Sequence, residues 1–195
     1  MEKTPPRQLI IDAVLTCVEK YGIDRLTTRR IAEQAGTNIA SINYYFRSKE
    51  QLVDEALTMT VNHMVQDVIA VTEAPDLSFE QVLKEVFFYL LDGVMRFPGI
   101  SMAHLYGAVV EKRYDSPGAK GINKVFDSLV QRAIREYPSQ DPDGLRLLLA
   151  QIVGSVMFTM LAPNLLPVAK KYQPVTAEHC RLLAEEYARV ILEAA

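Results

Sequence analysis

The apolar residues of this chain recur at three- and four-residue steps along almost its whole length, and this spacing is its strongest constraint. Leu9, Ile10, Ala13, Val14, Cys17, Val18 and Tyr21 form one stripe, and Leu52, Ala56, Leu57, Val61, Met64, Val65 and Val68 a longer one. Such spacing paints one face of an α-helix, whereas a half-buried strand would alternate at every second residue. No convincing strand, fixed repeat or low-complexity segment interrupts it. The reading is all-α, with about nine helices.

The breaks between stripes carry start and stop signals. Thr4 and Pro5 open the first helix and Gly22 closes it. Thr27 is an expected N-cap and Gly36 the next stop. A short third helix follows from about Asn38 to Tyr45. "SKEQ" from Ser48 and "SFEQ" from Ser78 both fit the capping-box pattern and open the fourth and fifth helices. The sixth helix is expected to run to about Arg113. Asp141 and Pro142 suit the N-cap and first position of the eighth helix. The segment 162–175 reads as a proline-punctuated loop, and residues 176–194 as the last helix.

With 195 residues, 49% of them apolar, the chain can fill a sizeable core. Cys17 and Cys180 stand far apart with no metal-ligand spacing, so the expectation is reduced, buried thiols. "LIIDAVLTCV" is interrupted by Asp12 and is not read as a signal peptide. "LLLAQIVGSVMFTMLA" (Leu147 to Ala162) is shorter than the roughly 20 apolar residues a bilayer needs, so a buried helix is expected and no membrane partner.

Charge is unevenly placed. The chain carries 21 basic and 24 acidic residues. Yet Arg25, Arg29, Arg30, Arg47 and Lys49 cluster around a polar, glycine-broken stretch, with Glu33 alone opposing them inside it. Two short helices joined at Gly36 make a helix-turn-helix. Ile31, Ala32, Ala35, Ile42 and Phe46 supply its inward face. Outward on the second helix stand Ile39, Ala40, Ser41, Asn43, Tyr44 and Tyr45, an uncharged set that suits a major groove: Asn pairs with an adenine edge, Ser with several bases, and Ile or Ala with a thymine methyl. Lys49 occupies a first helical turn, where a cation opposes the macrodipole. A phosphate there would be held by the ammonium and the free N–H groups together. A merely solvated lysine is the plainer reading of Lys49 taken alone.

"LTTRRIAEQAG…INYYFRSKEQL" resembles the DNA-binding segment of the tetracycline-repressor-like (TetR) family of bacterial transcription regulators over about residues 7 to 55. Tyr44, Phe46, Ser48, Lys49 and Leu52 fit the second half of its pattern. The resemblance implies a homodimeric, all-helical, cytoplasmic repressor. It implies an N-terminal helix-turn-helix domain over 1–50 and a helical effector-binding and dimerisation domain over 51–195. Double-stranded DNA bearing a palindromic operator and a small, largely hydrophobic effector are the implied partners, with no cofactor or metal. Carried over by position, Thr27, Thr28, Arg29, Asn38, Ile39, Ala40, Ser41, Asn43, Tyr44, Tyr45 and Lys49 would bind DNA. Two departures matter: many members carry Lys-Gly where Ile39 and Ala40 stand, and Tyr where Asn43 stands. Ile39 is therefore expected to meet a thymine, and Asn43 a base edge.

The eighth and ninth helices hold surplus apolar surface. They are expected to pair with their two-fold mates as a four-helix bundle through Ile152, Gly154, Ser155, Leu183, Tyr187, Val190 and Ile191, so that two readers face neighbouring turns of DNA. Phe87, Phe88, Met95, Met102, His104, Tyr106, Phe126 and Met157 are candidates for an apolar ligand pocket, though each also reads as plain core; His104 in particular reads as a satisfied core histidine. The fourth helix would couple pocket to reader. Three histidines in three separate segments, and no P-loop, H-E-x-x-H, dinucleotide glycine pattern or G-x-S-x-G, argue against an enzyme. The alternative reading is a helical adaptor that binds another protein through its apolar C-terminal helices.

Overall fold

A computed structural model of the chain describes residues 6–162 and 176–194, and among these all regular structure is helical. The helices are α1 (Pro6–Tyr21), α2 (Thr28–Ala35), α3 (Ile39–Tyr45), α4 (Lys49–Thr72), α5 (Phe79–Arg96), α6 (Pro98–Val109), α7 (Pro117–Glu136), α8 (Pro142–Leu161) and α9 (Ala177–Ala194). A 3-10 turn, Ile23–Arg25, joins α1 to α2 and carries no stripe that would betray it in the sequence. Thr4, Pro5 and all but the first residue of the expected 162–175 loop lie outside the described residues.

Most helix ends obey local chemistry. Thr27 caps α2 by accepting from the Arg30 N–H, Asn38 caps α3 by accepting from Ser41, and Asp141 accepts from Asp143 and Gly144 at the start of α8. Ser78 and Gln81 exchange hydrogen bonds reciprocally, as a capping box does. At α4 the box is displaced by one residue: Ser48 accepts from Gln51, but the Gln51 amide reaches back to the Arg47 N–H. Asn38 is thus a cap just outside α3, and α6 stops at Val109, short of the expected Arg113. There the chain turns through Lys112 at φ 58°, with the Arg113 N–H on the Gly107 carbonyl at 2.8 Å. The turn signal in the sequence, Asp115 to Gly118, comes several residues later.

By contacts the chain divides into two units: Met1–His63 with Phe97–Gly121, and Met64–Arg96 with Ile122–Ala195. The expected division at 50/51 cuts α4 in its first turn instead. α6 joins the first unit because it packs on α1. Gly99 permits this: a Cβ there would sit 2.7 Å from the Glu19 backbone. Glu19 also accepts from the Ile100 N–H at 3.0 Å. The core of this unit gathers Ile10, Val14, Val18, Ile31, Ile42, Phe46 and Leu52, with Ala103 from α6.

In the second unit, α9 presents Cys180, Ala184 and Ala188, all buried and four residues apart, to α5. Small residues at that spacing let the two helices approach closely. Arg132 binds the carbonyls of Thr72, Ala74 and Leu77, satisfying orphan groups at the end of α4 and beyond it. α8 buries Leu145, Leu149, Ile152 and Val156, yet leaves Leu147 61% and Phe158 42% exposed. Surplus apolar surface was expected of α8, and among the described residues Leu147 and Phe158 provide it. Both cysteines are buried and unpaired. Among the described residues no single helix is long and apolar enough to cross a membrane.

Candidate nucleic-acid interface

The interface is built on the corner between α2 and α3. Gly36 ends α2 at φ 64°, ψ 33°, a left-handed conformation that a Cβ disfavours. The Gly36 and Thr37 N–H groups return to the carbonyls of Glu33 and Ala32, which satisfies the last turn of α2 and sends the chain sharply into α3. Ile42 and Phe46 anchor the underside of α3, each 2% exposed.

This anchoring decides what α3 shows to solvent. Asn38, Ile39, Ala40, Asn43, Tyr44 and Tyr45 are exposed, and Ser41 is half-buried. Tyr44 is 82% exposed and meets Tyr45 edge to face, their ring centres 5.0 Å apart. No charged side chain stands on α3. The face offers donors, acceptors and apolar contacts with no fixed charge to desolvate, as base edges in a groove require. The Asn38 side-chain oxygen is committed to the Ser41 N–H at 2.8 Å, so the amide group is its part left to donate.

Flanking cations take different places. Arg29 is exposed on α2, its Nε 2.9 Å from Glu33, a surface pair that a phosphate can replace at little cost. Thr27 is exposed and Thr28 half-buried at the start of the same helix. Arg30 is also exposed but lies across the surface, over the Tyr21 ring at 4.9 Å and onto the Arg25 carbonyl at 2.6 Å. Lys49, the first residue of α4, is half-buried, and its Nζ lies 3.4 Å from the Leu26 carbonyl.

Arg7 is a positioning residue that the sequence reading missed. Its guanidinium stands 5.0 Å over the Phe46 ring and pairs with Glu55, tying α1 to the end of α3 and to α4. Its partners are remote in sequence, and no local motif marks it.

The candidate ligand residues fall in both units. In the first, His104 and Tyr106 line a cavity of about 220 Å³, while Met102 is exposed. In the second, Phe87 is fully buried against Tyr187, their ring centres 6.0 Å apart. There too Phe88 lies under Arg181, Phe126 under Arg146, Met157 is half-buried and Met95 is exposed. Of the candidate pairing residues, Gly154, Ser155 and Val190 are exposed, Leu183 and Tyr187 half-buried and Ile152 buried. The Ile191 side chain lies outside what is described. A Cβ built on Gly154 would meet nothing within 4 Å.

Residues 10–56 match the family model described as bacterial regulatory proteins, tetR family. The chain is 27% identical over 111 residues to the tetracycline repressor protein class D of Escherichia coli, covering 56% of this chain and 49% of that one. It therefore spans about half the length of the curated repressors it matches. The fatty acid degradation regulator FadR from Bacillus halodurans has the same fold, with a TM-score of 0.72 at 16% identity, over 98% of this chain and 97% of that one. So does the transcriptional regulator FadR from Bacillus subtilis in complex with stearoyl-CoA, with a TM-score of 0.69 at 14% identity, over 96% and 98%.

Proposed function

We propose that this chain, which belongs to the tetR family of bacterial regulatory proteins, is a ligand-responsive transcriptional repressor that binds a palindromic operator as a homodimer in the cytoplasm. The observation that carries the reading is the uncharged, exposed face of α3, held by the buried Ile42 and Phe46 and flanked by Arg29 and Lys49. Asn43 and Ser41 read base edges, Ile39 and Ala40 meet thymine methyl groups, and Tyr44, Tyr45, Thr27, Thr28, Arg29, Asn38 and Lys49 hold sugar and phosphate.

One such corner makes few contacts, and two on a two-fold axis read a palindrome. The exposed Leu147 and Phe158 of α8 and the exposed Leu182 and Val190 of α9 support a pairing surface there, with Gly154 and Ser155 letting backbones approach. A protein adaptor would use the same surface. A sharp homodimer mass with operator binding supports the repressor, whereas a monomer capturing a different protein supports the adaptor.

The effector is a small, largely apolar molecule, held by some of the aromatic and methionine residues of α5 to α8. The stearoyl-CoA complex of the Bacillus subtilis regulator supports an apolar effector for this fold. Ligand shifts the dimer toward a state in which the two α3 helices no longer match successive grooves. The shift is limited to the ligand's differential affinity for the two states. α4, whose residues 49–63 belong to one unit and 64–72 to the other, is the proposed lever.

Selection of binding sites from random duplexes tests the reading. A two-fold symmetric site bound with affinity falling steeply with salt is the expected result. Recovery of no preferred sequence would refute it. An apolar ligand should raise the melting temperature and release the selected duplex.

A further inference from the structure

Arg25, Arg29, Arg30, Arg47 and Lys49 surround the corner between α2 and α3, and all but one already face a partner. Arg29 pairs with Glu33 at 2.9 Å, and Arg25 stands 4.0 Å from Asp24. Arg30 donates to the Arg25 carbonyl at 2.6 Å, and Lys49 to the Leu26 carbonyl at 3.4 Å. Arg47 differs: among the described residues its guanidinium has no hydrogen-bond or ion-pair partner.

Local structure fixes where Arg47 stands. Phe46 ends α3 in an extended conformation, φ -133° and ψ 129°, with its side chain buried. Neighbouring side chains of an extended chain leave on opposite sides. Burial of Phe46 therefore sends Arg47 away from the core, and it is exposed. Its backbone is held as well. The Arg47 N–H donates to the Gln51 side-chain oxygen at 3.2 Å, and the Gln51 N–H donates to Ser48 Oγ at 3.1 Å. The link between α3 and α4 is thus ordered before any ligand arrives, and only the arginine side chain remains to be fixed.

Its place and chemistry suit a phosphate better than a base edge. Arg47 follows the exposed Tyr44 and Tyr45 and stands just beyond α3, not on it. A residue that flanks a recognition helix meets the sugar–phosphate rim of the groove. A guanidinium offers a planar fork of N–H donors that fits two phosphate oxygens, and this one has no carboxylate to give up first. The start of α4 is already served by an anion of its own: Glu50 is held below the usual carboxylate range by its own backbone N–H and the Ser48 hydroxyl. A phosphate at this end is therefore held by side-chain charge more than by helix N–H groups.

We propose that Arg47 binds a backbone phosphate of the duplex, a contact that rests on the reading of α3 as a DNA reader. With Arg29 on α2 and Arg47 beyond the end of α3, each corner grips the backbone on two sides of the reading face. Arg30, laid over Tyr21 and onto the Arg25 carbonyl, stays out of the contact.

The test titrates the full chain and three variants, Arg47→Gln, Arg47→Lys and Arg30→Gln, against the selected duplex at several salt concentrations. Arg47→Gln should leave the melting temperature unchanged, since no partner is lost. It should weaken binding about tenfold for each reader bound at ~0.1 M salt, and lower the slope of log affinity against log salt by about one for each reader. Arg47→Lys keeps the charge and should keep the slope. Arg30→Gln should keep it too, although it removes the same charge from the same cluster. A second series replaces single phosphates of the duplex by neutral methylphosphonates. At one position in each half-site the unaltered chain should lose about tenfold, and Arg47→Gln nothing further. An unchanged slope in Arg47→Gln, an equal fall in Arg30→Gln, or the absence of such a position overturns the proposal while leaving the DNA reading intact. An unaltered chain that binds no duplex overturns both.

Discussion

The Lys49 ammonium donates to the Leu26 carbonyl at 3.4 Å, closing the chain around α2 and α3. The first residue of α4 is thereby tied to the residue before the α2 cap. A lysine that reads in sequence as a free cation in an unfavourable first turn is instead partly spent on holding the corner together. The same ammonium remains the nearest α4 charge for a phosphate.

Lys49→Ala should weaken binding to every duplex by a similar factor, on the order of tenfold, and lower the slope of log affinity against log salt by about one. Fluorescence anisotropy at several salt concentrations, on selected and scrambled duplexes, measures both. A loss confined to the selected duplex would make Lys49 a base reader.

Asn43→Ala should cost about 1–3 kcal/mol on the selected duplex and little on scrambled DNA. Ser41→Ala should act in the same direction but less, because Ser41 is half-buried. A repeat of the site selection with each variant checks this. Equal loss on all sequences would remove these residues from base reading.

His104 predicts an acid sensitivity. Its ordinary pKa of 6.5 falls to about 4 in the fold through burial. The unfolded chain therefore takes up the proton first, and stability is lost as pH falls from about 6.5 toward 4. At the lower end the loss approaches about 3 kcal/mol. Urea unfolding across this range should show it, and His104→Gln should flatten the difference. Parallel pH curves for the two proteins would contradict the assignment.

Val190 is 46% exposed on α9 and Leu182 39%. Leu182→Glu with Val190→Glu should give a folded monomer by light scattering. Operator affinity should drop about 100-fold or more as the second reader is lost. A persistent dimer would move the interface elsewhere.

The helix-turn-helix was legible because its signals are local. Thr27 and Asn38 meet their capping partners within three residues, and Gly36 turns through its own backbone freedom. The inward set, Ile31, Ala32, Ile42 and Phe46, was readable from spacing and is buried. The end of α6 was not legible, because Lys112 turns left-handed in a setting made by the close approach of residues 111–118 to α6.

The sequence by itself determined the helices, their caps and the uncharged outer face of α3, since each follows from side-chain periodicity or a hydrogen bond spanning three or four residues. The tertiary structure decided which charges are spent and which stay available. Arg30 turns onto Tyr21, Arg113 onto Asp54 and Lys49 onto Leu26. It likewise decided that His104 is held neutral by the packing of α6. These outcomes depend on residues far apart in the chain meeting in space, and it is packing, not any local pattern, that sets which of them meet.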